Sequence, residues 1–450
     1  MRACAGAYFP FDTGVEMSGS HTDEHLASYS VPVAEPLELS MTPVEVAEGL
    51  RHLPGMVFFD TSGNLPSRSH APVSIIAARP VRVMRGDMGD EGDVEALREE
   101  ISRWQVHLPS LGFPVGGACG WVDYEGDYCF GLYPEMLIYQ HDRKRWWQCG
   151  NLVEEIRGEG ASDDGPEMLE LSASMTRDAY ESGVRRIHEY IAAGDIYQVN
   201  LTQRFSAEMV GGSLFPLYRH LRDGAPAPLA VWMELEGREI LSSSPETFLR
   251  MSGRGVETRP IKGTRPRYDD EGADRESAKD LLGSEKENAE LIMITDLERN
   301  DLGKVCEFGS VRVADMLALE KLEHVYHLVS TVTGTLRDGV DHLEALSACF
   351  PGGSITGAPK MRAMEIIREL EPVPRGLYTG AMGYIGFNGE SQFNIPIRTL
   401  TREHGLLQYH VGAGIVADSD PSAEYQETLD KAKGIRLAIE RYQHDIHERG

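Results

Sequence analysis

The stretch YTGAMGYIGFNGESQFNIPIRTLTREHGLLQYHVGAGIV, residues 378–416, contains three runs of β-forming residues separated by a few turn residues. The runs extend from Tyr378 to Phe387, from Gln392 to Leu400 and from Leu406 to Val416. Spacers this short predict an antiparallel meander. A helix is expected to follow from Pro421, because a proline in the first turn of a helix leaves no hydrogen bond unmade.

The rest of the chain alternates blocks of strands with single helices. Short β-type runs recur from Val31 to about Gly150, and a hairpin is indicated at 230–244. Helices are expected near 176–193, 285–299 and from Pro359. Strand-rich blocks with interspersed helices, without strict strand–helix alternation, predict the α+β class with mainly antiparallel sheets.

Four segments are expected along the chain. Residues 1–30 are polar and weakly patterned and are predicted to be a flexible N-terminal tail, and residues 31–155 form a β-rich region. Residues 156–174 are predicted to be a linker, because the part from Arg157 to Pro166 is rich in glycine and acidic residues. The remaining segment, 175–443, holds the candidate functional residues.

Composition excludes several classes of function. The 450 residues include 44 Lys and Arg against 71 Asp and Glu, a net charge of 44 − 71 = −27. Such a field repels nucleic-acid phosphates and anionic lipid, so neither is an expected partner. No run approaches the length of a membrane span, and the first residues make a poor signal peptide. Six scattered cysteines fit reduced thiols in a cytoplasmic protein.

Two Glu-x-x-Glu pairs, Glu287 with Glu290 and Glu424 with Glu427, each place two carboxylates on one face of a predicted helix. A hard cation such as Mg²⁺ would compensate their repulsion. Helix capping is the alternative, because Ser284-x-x-Glu287 forms a capping box and Glu424 lies in a first turn. Capping explains the first glutamate of each pair better than the second, so Glu290 and Glu427 are the stronger candidates for metal ligands.

Two glycine-rich segments allow more than one interpretation. Residues 351–360 (PGGSITGAPK) open a helix, and their backbone amides either bind an anion or form an ordinary capped loop. Gly412-Ala-Gly414 resembles a dinucleotide fingerprint, which raises an NAD-dependent oxidoreductase as a rival class. The fingerprint fails in context, because the helix begins too late and too little chain remains for the next strand. Gly412 and Gly414 are instead expected to leave room for a ligand at a strand end.

Single polar residues complete the candidate list. Glu246 follows a strand, and His327 and Tyr378 taken alone are most simply packed side chains. Arg398 is predicted within a strand, where an inward guanidinium requires a carboxylate or an anionic ligand. Lys262, in Pro260-Ile-Lys-Gly-Thr264, either holds an anion by its charge or acts as a nucleophile when its amine is neutral.

Taken together, these segments resemble the chorismate-utilising enzymes. The resemblance covers about residues 175–440 in the family's order and is looser at Gly116–Trp121 and Tyr124. It rests on GDIYQVNL (194–201), SSPE (243–246), RPIKGT (259–264), ENAELIMITDLERNDL (287–302), FPGGSITGAPK (350–360) and GAGIVADS (412–419). It implies two antiparallel sheets packed as a sandwich with helices on the outside, and 175–443 as the chorismate-binding catalytic domain.

The resemblance also implies a branch of the family. Lys262 is typical of the members that aminate chorismate at C4, whereas anthranilate synthase and isochorismate synthase large components usually have alanine there. Phe58-Phe-Asp-Thr-Ser62 stands roughly where anthranilate synthases carry a Leu-Leu-Glu-Ser element for tryptophan. Anthranilate synthase chemistry remains the close alternative, and a catalytically silent subunit is the alternative from another class.

Roles for the candidate residues follow from the same resemblance. Mg²⁺ would be held by Glu290 and Glu427, with Glu287 and Glu424 beside them, and would bind the ring carboxylate. The enolpyruvyl carboxylate would lie against Arg398, Tyr378, Gly412 and Gly414. Ser354, Gly263, Thr264 and His327 would border the ring. Lys262 is implied to be the nucleophile and Glu246 the general acid. Ammonia would come from a separate glutamine amidotransferase subunit, since no glutaminase motif is evident in this sequence.

Overall fold

The computed structural model describes residues 32–62, 72–108, 110–158, 167–168 and 170–449, so the predicted tail at 1–30 lies outside the described residues. The ten helices of these ranges are α1 Pro43–Leu50, α2 Glu91–Ser102, α3 Arg177–Ala193, α4 Phe215–Gly224, α5 Glu271–Gly283, α6 Glu285–Val305, α7 His342–Cys349, α8 Lys360–Leu370, α9 Pro421–Lys431 and α10 Lys433–Arg449.

Twenty-three strands lie in the same ranges and form two sheets. They are β1 Glu35–Leu37, β2 Val57–Asp60, β3 Val73–Ala77, β4 Arg82–Asp87, β5 Gly117–Val122, β6 Asp127–Tyr133, β7 Met136–Gln140, β8 Arg145–Cys149, β9 Glu167–Met168, β10 Ser172–Ala173, β11 Gln198–Val210, β12 Leu229–Leu235, β13 Arg238–Ser244, β14 Thr247–Ser252, β15 Gly255–Arg259, β16 Ile261–Pro266, β17 Arg312–Lys321, β18 Val325–Thr335, β19 Gly357–Ala358, β20 Ala381–Gly386, β21 Glu390–Asn394, β22 Thr399–Glu403 and β23 Leu406–Ile415.

Every described strand pair in the two sheets is antiparallel. Sheet A runs in the order β1-β8-β7-β3-β2-β12-β13-β22-β23-β11-β10, with β9 and β19 also paired to β11. Sheet B runs in the order β16-β18-β15-β14-β21-β20-β5-β6-β4, with β17 also paired to β18. The predicted hairpin at 230–244 is present as β12 and β13, whose connection carries positive φ at Glu236 and Gly237.

The C-terminal meander prediction is wrong in one respect, because the three predicted runs do not share one sheet. The middle run divides into β21, which pairs with β20 in sheet B, and β22, which pairs with β23 in sheet A. Residues 395–398 connect them, and Pro396 within this connection has no backbone N–H to continue the ladder. Arg398 is therefore not a strand residue, and its φ is 51°.

The two sheets pack face to face, with helices on their outer faces. Val231 and Ile240 of sheet A and Trp121 and Met382 of sheet B belong to one buried apolar cluster between the sheets. Outside sheet A, Leu221 of α4 and Ile439 of α10 pack against strand residues such as Trp232. The predicted α+β sandwich is confirmed by this arrangement.

Both sheets extend across the predicted boundary at 156–174. In sheet A, β2 pairs with β12, and in sheet B, β5 pairs with β20. Residues 35–149 therefore supply strands to the sheets that carry the predicted catalytic segment, within one compact unit that begins at Pro32. Among the residues that the structure describes, no helix is both long and apolar enough to cross a membrane.

Arg375 connects segments that are distant in sequence. Its side chain is 1% exposed and forms an ion pair with Glu371 at 2.7 Å. The guanidinium also donates to the carbonyl oxygen of Ile355 at 3.0 Å, to the carbonyl oxygen of Asn200 at 3.1 Å and to Oγ1 of Thr379 at 3.2 Å. One buried side chain thus joins β11 to two turns, one at Ile355 and the other at Thr379.

Replacing Arg375 by methionine is expected to lower the free energy of unfolding by about 3–5 kcal/mol, because Glu371 would remain as a buried charge without its partner. Urea denaturation followed by tryptophan fluorescence measures the change. The matched control is Arg299→Met, which removes an exposed ion pair with Asp296 and should cost less than about 1 kcal/mol. Equal losses in the two variants would contradict the role given to Arg375.

Candidate active site

One cavity of about 630 Å³ brings together the predicted site residues. Strands from both sheets and the helices α6 and α9 contribute to its walls. Of the predicted residues, those that line it are Glu246, Lys262, Gly263, Thr264, Glu287, Glu290, His327, Ser354, Tyr378, Arg398, Gly412, Gly414 and Glu427. Glu424 is the exception, since it is buried behind the cavity wall.

Two connections that pass from one sheet to the other form part of this cavity. Glu246 lies between β13 of sheet A and β14 of sheet B, and Arg398 lies between β21 of sheet B and β22 of sheet A. The two connections bind each other: Ile395 N–H donates to the Glu246 carbonyl oxygen at 3.1 Å, and Ser244 Oγ donates to the Ile395 carbonyl oxygen at 2.6 Å. Backbone geometry therefore brings Glu246 and Arg398 to one place.

Lys262, Ser354 and Glu246 form the polar centre of the cavity. The Lys262 amine donates to the carbonyl oxygen of Ser354 at 3.3 Å. Burial raises the pKa of Glu246, while the nearby Ser354 hydroxyl and the Lys262 charge act against the rise. Oε1 of Glu246 and Oγ of Ser354 are both buried without a hydrogen-bond partner. Such atoms are costly to bury, so a ligand that pairs with them is stabilised.

His327 is neutral and fixed by its neighbours. Burial and the charge of Arg398 lower the pKa of His327 to about 3. Its Nδ1 lies 3.0 Å from Oγ1 of Thr264 and 3.4 Å from the carbonyl oxygen of Gly263. Its Nε2 is buried without a hydrogen-bond partner. The ring therefore presents an uncharged polar edge beside Gly263 and Thr264.

Arg398 supplies a cation that lacks an acidic partner within the described part of the chain. Burial lowers the pKa of Arg398, and no neighbouring acid opposes this effect. Its backbone is held in the left-handed region, as is that of Thr379 at φ 63°. Such strain in non-glycine residues costs about 1–3 kcal/mol and is concentrated at functional sites. The sequence-based expectation that Arg398 needs an anionic ligand is consistent with this geometry.

Two lysines lie close to glutamates of α6 and α9. Lys431 forms an ion pair with Glu427 at 2.7 Å, and Lys286 lies 3.7 Å from Glu424. Burial acts to raise the pKa of Glu427, but Lys431, Lys286 and Lys262 together outweigh it and the pKa is lowered. For Glu290, burial together with Glu287 and Glu427 raises the pKa against the opposing charges of Lys262 and Lys286.

These carboxylates fit a magnesium ion that is completed by water and substrate. Across the described residues, no three acidic, histidine or cysteine side chains converge as a ready-made metal group. Magnesium commonly takes only one or two protein carboxylates. Glu290 and Glu427 line the cavity and are available for this role, whereas Oε1 of Glu424 already accepts from Ser419 Oγ at 2.6 Å. Glu424 does not line the cavity and is therefore the weaker candidate of its pair, although its buried Oε2 has no hydrogen-bond partner.

The glycine segments make contacts that the sequence did not predict. A Cβ on Gly412 would lie 2.5 Å from Cγ2 of Thr202, and one on Gly414 would lie 2.5 Å from Nε2 of Gln198. These glycines therefore make room for side chains of β11 as well as bordering the cavity. In the 351–360 segment, the N–H of Gly353 donates to Glu298 at 2.9 Å, so this amide is not free for an anion.

Several cavity residues were missed by the sequence analysis. Asn200 donates to the Ser354 carbonyl oxygen at 3.1 Å, and His410 stacks on Tyr378 with ring centroids 5.3 Å apart. Lys431 could have been predicted from its i,i+4 spacing to Glu427. Asn200 lies within GDIYQVNL (194–201), one of the segments that resemble the family. His410 gave no signal, because its contact with Tyr378 depends on the packing of β23 against the turn before β20.

The chain is similar to several known proteins. A family model described as chorismate binding enzyme matches residues 120–436. Aminodeoxychorismate synthase component 1 of Bacillus subtilis (strain 168) is 38% identical over 369 residues, which are 72% of this chain and 77% of that protein. Anthranilate synthase component 1 of Streptomyces coelicolor is 46% identical over 271 residues, 60% of this chain and about half, 53%, of that protein.

A solved structure shows the same fold. Anthranilate synthase component I from Streptococcus pneumoniae TIGR4 superposes with a TM-score of 0.73 at 31% identity and covers 83% of this chain and 94% of that one. The chain therefore belongs to the family of chorismate binding enzymes.

Gly263 is expected to be intolerant of a side chain. Its φ is 69°, and an added Cβ would lie 2.7 Å from Cδ1 of Leu281 and 3.1 Å from Oε2 of Glu287. We expect Gly263→Ala to lower the free energy of unfolding by about 2–4 kcal/mol, from backbone strain and crowding together. Gly253→Ala is the matched control, because Gly253 also has positive φ, at 54°, but open space around its Cβ.

Strain alone should cost the Gly253 variant about 1 kcal/mol. Urea denaturation of both variants separates the two contributions. Equal stability of the two variants would show that crowding at Gly263 is relieved by small movements of Leu281 and Glu287.

Proposed function

We propose that this chain is the chorismate-aminating component of an aminodeoxychorismate synthase and forms 4-amino-4-deoxychorismate, for para-aminobenzoate and folate synthesis in the cytoplasm. The observation that carries the proposal is the Lys262 amine, which lies in one cavity with the buried carboxyl of Glu246 and the guanidinium of Arg398. Among the described residues, no acidic side chain pairs with that guanidinium. A lysine at this position is what distinguishes the aminating branch in the family pattern.

Charge supports a dianionic substrate in this cavity. The chain as a whole carries −27, so an anion binds only where positive charge is concentrated. Arg398 provides such a charge for the enolpyruvyl carboxylate, and Tyr378 lines the same cavity. Glu290 and Glu427, with Glu287 and Glu424 nearby, would hold Mg²⁺, which when bound supplies positive charge for the ring carboxylate.

The proposed reaction has two displacement steps. The neutral Lys262 amine forms a bond to C2 of chorismate, the ring double bonds shift, and the C4 hydroxyl leaves as water with a proton from Glu246. Ammonia then forms a bond at C4, the double bonds shift back, and the C2–nitrogen bond to Lys262 breaks. The excess proton on the new amino group returns to the Glu246 carboxylate, which restores the acid. The net change is chorismate plus ammonia to aminodeoxychorismate plus water.

The groups around Glu246 support its role as general acid. Burial raises its pKa, which favours the protonated carboxyl that the first step requires. His327 stays neutral and borders the ring with Gly263, Thr264 and Ser354. A glutamine amidotransferase subunit is proposed as the source of ammonia, in keeping with the name component 1 of the Bacillus subtilis relative.

Anthranilate synthesis is the second candidate, because the 46% identical relative carries that name. The two activities use the same substrates but differ in their products, since anthranilate formation releases pyruvate. A silent binding subunit is less well supported, because Glu246, Lys262, Glu290 and Glu427 all line the cavity.

Product identification tests the proposal directly. Purified protein with chorismate, an ammonium salt and Mg²⁺ should give 4-amino-4-deoxychorismate by liquid chromatography and mass spectrometry, and chelation of Mg²⁺ should stop turnover. Lys262→Met should lower the rate by at least about 100-fold, whereas Lys279→Met, an exposed lysine on α5, should not change it. Release of pyruvate with anthranilate would replace the proposal by the second candidate.

The covalent role of Lys262 predicts a trapped intermediate. Chorismate without ammonia should leave an adduct on the peptide that contains Lys262, with a mass increase equal to chorismate less one water. The peptide that contains Lys286 is the internal control, because this lysine also lines the cavity but is paired with Glu424. Active enzyme that never yields the adduct would show that Lys262 instead holds a carboxylate by its charge.

A further inference from the structure

A buried carboxyl group outside the proposed reaction lies behind the turn that faces Lys262. Glu298, on α6, is 2% exposed, and its Oε1 accepts the backbone N–H of Gly353 at 2.9 Å. Gly353 itself leaves little space, because a Cβ there would lie 2.6 Å from Cδ2 of Leu297 and 3.0 Å from Oε1 of Glu298. The helix and the turn are therefore in close contact at this point.

The turn Gly353–Ile355 presents its carbonyl groups to the site. The Ser354 carbonyl oxygen receives the Lys262 amine at 3.3 Å and the Asn200 amide at 3.1 Å. The Ile355 carbonyl oxygen receives Arg375 at 3.0 Å. Glu298 holds the remaining end of the turn, at Gly353, so the direction of the Ser354 carbonyl depends on this contact.

Three charged groups act on Glu298: Asp301, Lys360 and Glu246. Asp301 lies on the same helix as Glu298. The Lys360 amine of α8 donates to the Asp301 carboxylate at 2.5 Å and to the Pro351 carbonyl oxygen at 2.6 Å. Burial and Asp301 raise the pKa of Glu298 to about 7, Lys360 and the Gly353 N–H act against the rise, and Glu246 adds to it. The Cys349 thiol at the end of α7 stays neutral, because burial raises its pKa.

We propose that Glu298 is a positioning residue that holds the Gly353–Ile355 turn against the Lys262 amine. The proposal deepens the proposed function, because Lys262 is its nucleophile, but the contact between the turn and Lys262 can be measured without turnover.

Two variants test the contact between Glu298 and the Gly353 N–H. Glu298→Gln keeps an acceptor for the Gly353 N–H but removes the charge, and Glu298→Met removes both. Asp296→Asn is the matched control, since it removes an acid on the same helix that is 65% exposed and contacts Arg299. Thermal melting of the full chain establishes that each variant is folded before it is compared.

The first readout is the rate at which an amine-acylating reagent labels Lys262, followed by peptide mass spectrometry. Glu298→Met should be labelled several-fold faster than the parent protein, because the Lys262 amine loses its fixed carbonyl acceptor. Glu298→Gln and Asp296→Asn should match the parent protein. Equal labelling of all four proteins would overturn the positioning effect, whether or not the chain aminates chorismate.

The second readout is the steady-state kinetics of chorismate amination. Glu298→Met should lower kcat about tenfold with little change in KM for chorismate, since alignment and not binding is lost. Glu298→Gln should keep kcat near that of the parent protein, because it retains an acceptor for the Gly353 N–H. Equal kcat in Glu298→Met and the parent protein would overturn the positioning effect.

If the parent protein aminates no chorismate, the proposed function fails. The labelling comparison then still decides whether Glu298 positions the turn. If Glu298→Met alone melts below the assay temperature, its labelling rate is compared with that of Glu298→Gln at a lower temperature at which both are folded. A several-fold difference supports positioning, and equal rates overturn it.

Discussion

The ion pair between Arg375 and Glu371 is the interaction on which the cavity walls depend. Burying two charges is costly unless the remaining donors and acceptors are satisfied. Here the guanidinium reaches the carbonyl oxygens of Asn200 and Ile355 and the hydroxyl of Thr379, and Glu371 accepts the N–H of Thr202 at 3.0 Å. The hydrogen bonds of the Arg375 guanidinium hold three separate segments of the cavity wall in place. The shape of the cavity therefore depends on pairing this buried cation.

The second constraint is the contact between the two connections that pass from sheet to sheet. Each contains a proline, Pro245 or Pro396, which cannot donate to a sheet ladder. Where two sheets exchange strands, backbone groups must find partners outside the ladders, and here they bind each other. Glu246 and Arg398 are placed at this junction by the backbone, which explains why an acid and an arginine can share a cavity without pairing.

Much of the site could be predicted from the sequence, and the reason is physical. Glu290 and Glu427 were found from helical spacing, and Lys262 from its position at a strand end next to a glycine. The four Glu-x-x-Glu carboxylates were placed on the right helices, although Glu424 turned out to lie outside the cavity wall. Such signals are local, because spacing along a helix or strand determines which face a side chain occupies.

The errors in the predicted fold come from contacts between residues that are far apart in the chain. The run from Gln392 to Leu400 has the composition of one strand, yet it divides between two sheets because Pro396 interrupts the ladder and distant partners capture each half. His410 and Glu298 were not predicted to matter, because their contacts with Tyr378 and Gly353 join residues far apart in the chain. Which strands pair depends on side-chain contacts across the whole sheet, so a short segment of sequence does not determine its partner strand.

The pairing of early and late strands has a consequence for the size of the smallest folded unit. The family match begins at residue 120, but β2 pairs with one edge of β12, and β5 pairs with one edge of β20. A chain shortened to the matched region would lose β2 and part of β5 and would leave buried strands such as Ala381–Gly386 with open edges. Unpaired apolar edges promote intermolecular association, so such a fragment would aggregate instead of serving as a minimal enzyme.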